Sequence, residues 1–414
     1  MYGRSPLSTS LHLLTSRNEA PVALVQLHFQ QRVLVSLAAG NQRPAARGNV
    51  EPDNPGSPTG QFAPRRQRQP FTLVISQEAI QRLCLLLVVA AFSGCASYEE
   101  RIRSTRALFY ANDLPAAIER LKEERQRDTK SRDAISLDLA TAQLMSGNPH
   151  AAEQTLRGVR DRFDYLEQAD LTEGLRAFAT DDTARAYAGA DYEKLLLRAM
   201  LTITNLMGEG DDALAYSHQF NAKQEEIIAA GVPGAPQNPK KSYERVALGA
   251  YLHGVLREAN HVDYDEAARS FARVASWQPS FTSAATDLER ARGGRHSAAG
   301  NGVLYVFALV GRGPRKVEAE EIPTSTALLI ADRILSATGE YTLPPTLAPI
   351  KIPVIAVPRN TIASVAVQIA DQSFGKTQTI TDIGKIAVQQ HQTMLPHIMA
   401  RAVARRGVKK AAVY

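Results

Sequence analysis

The sequence predicts a mainly α protein: a helical repeat domain over residues 95–292, followed by a smaller α+β domain over 301–414. Three observations carry this. Short amphipathic patterns that open on Asn, Gly or Asp and a pair of alanines recur through the first stretch, and recurrence at a period of 20 to 50 residues is the signature of stacked helical units. After a Gly-rich segment at 293–302 the texture changes to short β-branched runs, which read as strands. A chain of 414 residues of which 44% are hydrophobic also has enough apolar surface for two folded units.

Charge is unevenly placed. Residues 1–70 hold eight Arg, no Lys and three acids (Glu19, Glu51 and Asp53), and residues 71–94 add Glu78 and Arg82, so only +1 of the total +6 belongs to 95–414. Counterion-release binding needs a concentrated basic face, so no nucleic-acid partner is expected.

Residues 74–95 are read as a targeting segment. Arg82 is followed by an apolar run and then by Phe92, Ser93, Gly94 and Cys95, the layout of a signal peptide. The run is shorter than the roughly 20 apolar residues a membrane-spanning helix needs. Phe-Ser-Gly-Cys resembles the lipobox of bacterial lipoproteins, with Phe92 in place of the usual Leu. That resemblance implies cleavage of a signal peptide over 74–94 and acylation of the Cys95 thiol. Each buried CH₂ of a lipid contributes about 0.8 kcal/mol, and more than one chain is needed for stable anchoring. Ala96, where an Asp would imply inner-membrane retention, implies an outer-membrane, periplasm-facing location. The alternative is a buried helix with two incidental cysteines, Cys84 and Cys95, the only two in the chain. Residues 1–73 are rich in Pro, Gly and Arg over 41–60 and read as a disordered extension or a mis-called start, with initiation near Leu73.

The clearest helical unit is 263–279, DYDEAARSFARVASWQP, with Ala267, Phe271 and Val274 on one face and Pro279 ending it. It resembles the second helix of a tetratricopeptide repeat, a small Ala admitting a neighbouring helix closely while Phe and Val fill the groove. Residues 243–259 supply its first helix. Upstream, 112–121 places Ala117 and Leu121 alike, and 147–156 places Ala152 and Leu156; Ala117 and Ala152 are 35 positions apart, close to the repeat's period. Residues 210–216 form a fourth, irregularly spaced unit, and a plain helical domain is the alternative.

The block 181–198, DDTARAYAGADYEKLLLR, resembles a stretch in an uncharacterised family of bacterial lipoproteins with tetratricopeptide-like repeats, a likeness running from about Cys95 to the end. No activity comes with it. One reading has Tyr187, Tyr192 and Arg198 lining a concave groove that grips a partner segment. The other has Glu193, Lys194 and Arg198 pairing along a solvated face.

In 301–414, residues 303–310, 350–357 and 362–369 read as strands, and 324–337 and 383–406 as helices. Residues 370–377, ADQSFGKT, satisfy a loose phosphate-loop pattern. Phe374 is bulky for a loop that must wrap phosphate, and the following TQTIT is a poor helix start, so a β-hairpin turn is expected and no nucleotide. His253 and His261 bracket a helix end, and His391 and His397 lie either side of Pro396, without carboxylate or thiol at metal-ligand spacing. No catalytic residues, metal or cofactor are nominated. The basic tail 401–410 reads as a helix end or as a contact for anionic head groups, and resemblance to longer relatives implies that this domain continues beyond 414.

The expected function is that of a membrane-anchored envelope lipoprotein serving as scaffold or adaptor for another envelope protein or peptide segment. The alternative is an envelope enzyme or polysaccharide-binding factor acting through 301–414.

Overall fold

Tight turns set the architecture of the helical body. In the computed structural model, Asn112, Gly147, Glu209 and His261 all adopt a left-handed backbone, with φ of 61°, 77°, 55° and 62°. Each sits between two helices: α1 (Tyr98–Tyr110) and α2 (Leu114–Arg127), α3 (Arg132–Met145) and α4 (Pro149–Glu173), α5 (Asp191–Met207) and α6 (Ala213–Ala229), α7 (Ala247–Ala259) and α8 (Tyr264–Trp277). At the first three turns the left-handed residue and its successor donate back to the ending helix. Asn112 N–H reaches Phe109 O and Asp113 N–H reaches Leu108 O; Gly147 and Asn148, and then Glu209 and Gly210, repeat the pair at 2.8–3.3 Å. This bonding satisfies carbonyls a helix end leaves open. The next helix begins at once because Asp113 caps Ala116 N–H and Asn148 caps Ala151 N–H, with Pro115 and Pro149 in the first turn, where no N–H is needed.

The structure describes residues 23–28, 98–173, 187–232, 235, 237–297, 301, 303–338, 348–369 and 372–411. The chain divides into two compact units, Met1–Leu37 with Ser104–Tyr414, and Ala38–Arg103. Cys95, where lipidation is expected, the expected signal segment 74–94 and most of 1–73 lie outside the described residues. Among the described residues, no helix is long and apolar enough to cross a membrane.

The protein is mainly helical, with short strands near the C-terminus. From α2 through α9 (Ser283–Arg292), each helix packs chiefly on its neighbours in sequence. Ala117, Ala152 and Ala267 are completely buried, as are Phe163, Phe220 and Phe271. Helix α7 takes two of these rings against its bare backbone. A Cβ on Gly249 would lie 2.0 Å from Phe220 Cδ1, and one on Gly254 would lie 2.8 Å from Phe271 Cε1, so both positions admit only glycine without displacing a packed ring.

Strands form three separate antiparallel pairs. β1 (Ala23–His28) pairs with β2 (Leu304–Leu309), β3 (Arg315–Glu321) with β4 (Ile350–Ala356), and β5 (Ala366–Ile369) with β6 (Gln372–Lys376). Helices α10 (Ser325–Thr338) and α11 (Ile383–Ala411) cover the β4 side, where Ile330, Ile334, Leu335, Ile352, Met399 and Val403 form one core.

Three findings refine the sequence expectations. β1 comes from the stretch set aside as extension or mis-called start. The phosphate-loop-like segment 370–377 contains β6, paired in a hairpin with β5, and the next helix begins only at Ile383. The texture change at 293–302 does not separate two cores: Tyr305 and Phe307 of β2 join Leu252, Val255 and Phe271 in the helical body, and Gln389 Nε2 of α11 donates to Ser242 O at 2.9 Å.

Candidate functional site

Two polar clusters lie between the helices, and the residues singled out in 187–198 belong to the first. Arg198 is 4% exposed and Tyr192 7%. Arg198 Nη2 donates to both oxygens of Asp164 on α4 at 2.8 Å, and its Nη1 donates to Lys194 O at 3.1 Å. Lys194 pairs with Glu167 at 3.0 Å, and Lys223 of α6 meets Glu167 at 2.6 Å and Glu226 at 2.8 Å. Glu193 accepts from the Tyr187 hydroxyl and from Ala190 N–H, closing the start of α5. Asp191 pairs with Lys240 at 2.9 Å and accepts from the Tyr243 hydroxyl.

Both sequence readings of this block therefore need correcting. Tyr192 and Arg198 do not line an open groove, because both are turned into the body and engaged there. Lys194 and Arg198 do not pair along a solvated face either, because their partners stand on α4. Tyr187, half-buried, packs edge-on against Phe163 with ring centres 5.8 Å apart. Burial works to raise the Glu167 carboxyl, but the ammonium groups of Lys194 and Lys223 outweigh it and hold it below the usual carboxylate range. Burial beside Glu193 pushes the Tyr192 hydroxyl well up. The cluster fastens α4, α5 and α6 in one register.

No protein-family model, curated protein or solved structure matches this chain.

Sequence reasoning missed the second cluster, at the foot of β2. Glu258, in the last turn of α7, is wholly buried. Arg290 of α9 grips it bidentately, Nε to Oε1 at 2.7 Å and Nη2 to Oε2 at 2.6 Å, and the Tyr305 hydroxyl of β2 donates to Oε2 at 2.7 Å. Arg290 Nη1 also reaches Asp287 at 2.7 Å. Burial raises the Asp287 carboxyl despite that guanidinium. A guanidinium fork on a carboxylate is among the stronger and more directional ion pairs, and it ties α7, α9 and β2 together at one point.

Earlier on α7, His253 meets His218 of α6 edge to face at 4.6 Å. Arg257 stands against both, Nε to His253 Nε2 at 3.4 Å and Nη2 to His218 Nε2 at 3.2 Å, and pairs with Asp263 at 2.7 Å. His253 Nδ1 bonds the Ser270 hydroxyl at 2.8 Å. Burial, with His218 and Arg257 adding to it, pushes His253 down to about 4, so the ring is neutral at pH 7 and serves as an acceptor. His296 is likewise buried, and its ring meets His261 at 4.9 Å. His253 and His261, noted in sequence only as bracketing a helix end, thus sit in two distinct ring pairs. Among the described residues no group of His, Cys, Asp and Glu is arranged to hold a metal ion.

Proposed function

We propose that this chain is a lipid-anchored lipoprotein of the bacterial cell envelope, held at the outer membrane through Cys95 and facing the periplasm. Its tetratricopeptide-like helical hairpins act as a scaffold for another envelope protein. The observation that carries the scaffold reading is the repeated turn. Four successive hairpins pivot on a left-handed residue, and in each the second helix buries an alanine near its start: Ala117, Ala152, Ala213 and Ala267. Units that cover one another in a row are how repeat proteins build extended binding surfaces. The buried ionic clusters fit this reading as register pins between neighbouring units.

The anchor is tested by the intact mass of detergent-extracted protein from a lipoprotein-processing host, beside a Cys95→Ser variant. A mass fitting acylated residues 95–414, with the variant unprocessed, is expected; an unlipidated chain retaining 1–94 overturns the anchor. The scaffold is tested by photo-crosslinking in cells at exposed positions of the body, Tyr165 among them. Discrete crosslinked species from adjacent hairpins are expected, and an absence of crosslinks from every hairpin overturns the adaptor.

A further inference from the structure

β2 is held unusually firmly for a strand in a two-stranded pair. Tyr305 and Phe307 point into the helical core, 6% and 9% exposed, and the Tyr305 hydroxyl is bonded to Glu258 inside the second cluster. Its backbone edge is therefore presented by a rigid support. The edge also lacks the usual protection. Natural sheet edges are kept from pairing with other chains by charge, proline or bulges, and β3 follows that rule with Arg315, Lys316, Glu318, Glu320 and Glu321 among its seven residues. β2, with the sequence LYVFAL, carries no charge and no proline, and its six residues pair without a bulge with Ala23–His28.

On the lipoprotein reading, cleavage before Cys95 removes Ala23–His28 from the mature protein and leaves that edge uncovered. We infer that the edge of β2 is a strand-accepting site, filled in the full chain by Ala23–His28 and open in the mature lipoprotein to an extended, uncharged segment of a partner protein. The inference rests on the proposed processing. Its occupant is specified by the segment seen in place: six residues, antiparallel, with the sequence ALVQLH. Main-chain hydrogen bonds supply the affinity in such strand addition, and the alternating side chains supply selectivity.

The probe is a fluorescein-labelled peptide of residues 21–30. Binding is compared among three proteins: the unprocessed Cys95→Ser chain, the same chain carrying Val25→Pro and Leu27→Pro, and the processed lipoprotein in detergent. Proline removes ladder donors, and an edge that is already filled lowers apparent affinity by the fraction left open. The proline variant and the processed protein are expected to bind the peptide at least about tenfold more tightly than the unprocessed chain, with β2 amides gaining protection from hydrogen exchange. Equal, weak binding by all three, with the helical circular dichroism unchanged, overturns the site. So does a proline variant that refuses the peptide and doubles in mass, which assigns the edge to a second copy. Should intact mass show that 1–94 is retained in the host, the lipoprotein reading fails by itself, and the proline variant still decides whether β2 accepts a strand.

Discussion

The α4–α5–α6 cluster and the His218–His253–Arg257 group meet the same demand, a polar contact inside a helical body, by opposite means. The first sets Lys194, Arg198 and Lys223 against Asp164, Glu167 and Glu226, so each desolvated charge has a counter-charge. The second keeps the His253 imidazole neutral and lets one guanidinium, anchored on Asp263, donate toward the His253 and His218 rings. The first fails when a partner is deleted, and the second fails when a proton is added.

The largest expected effect comes from breaking the charge balance. Arg198→Met removes both guanidinium bonds from the partly exposed Asp164 carboxylate and leaves it Lys223 at 3.7 Å, and losing charge-assisted hydrogen bonds of this kind costs about 1.5–3 kcal/mol. Urea unfolding followed by circular dichroism measures it. Arg292→Met, which removes an exposed pair with Glu289, is expected to stay within about 0.5 kcal/mol. Equal losses in the two variants would show that the interior cluster is no more than a surface pair.

Next in size is Gly249→Ala, which drives a methyl into the Phe220 ring. Overpacking of this kind costs about 1–3 kcal/mol, read as a fall in Tm. Relief by Phe220→Leu in the double variant would locate the strain at that contact.

The smallest effect is read in pH dependence. His253 titrates lower in the folded chain than unfolded, so the stability it contributes is fully present above the unfolded value of about 6.5 and is lost as pH falls through about 4. Burial is the main cause, and Arg257 from α7 and Arg273 from α8 add to it beside the His218 ring of α6, against Glu266. His253→Asn keeps a polar group but cannot titrate there, and its unfolding midpoint is expected to fall less steeply between those two pH values. Glu167, also depressed, contributes stability present above the unfolded carboxyl value and lost as pH falls through its lower folded one. Its share disappears at the acid end. An unchanged slope in the His253 variant would move the acid sensitivity to the carboxylates.

What was legible in sequence follows this division. Ala117, Ala152, Ala267, Phe271 and Val274 announced themselves because their spacing on one helix reflects a face that must be buried, and all five are completely buried. Helices α10 and α11 and the hairpin at 370–377 were legible for similarly local reasons. Arg198 and Lys194 were not, because polar residues at helical spacing look the same whether their partners are water or Asp164 and Glu167 about thirty residues earlier. β3 escaped because five of its seven residues are charged, the opposite of the β-branched texture used to find strands. Glu258 escaped because its partners Arg290 and Tyr305 stand on two later elements. Only the fold brings the three together.

The ladder between Ala23–His28 and Leu304–Leu309 joins segments far apart in the chain, whereas the hairpins between them close over a few residues each. Non-local pairing is slow because its loop entropy is lost before any contact rewards it. In a nascent chain the first strand is made early and waits, while the helices that carry its acceptor are still being synthesised. Until the ladder closes, a segment in trans takes the acceptor edge only by overcoming the effective concentration that the tether gives the chain's own strand.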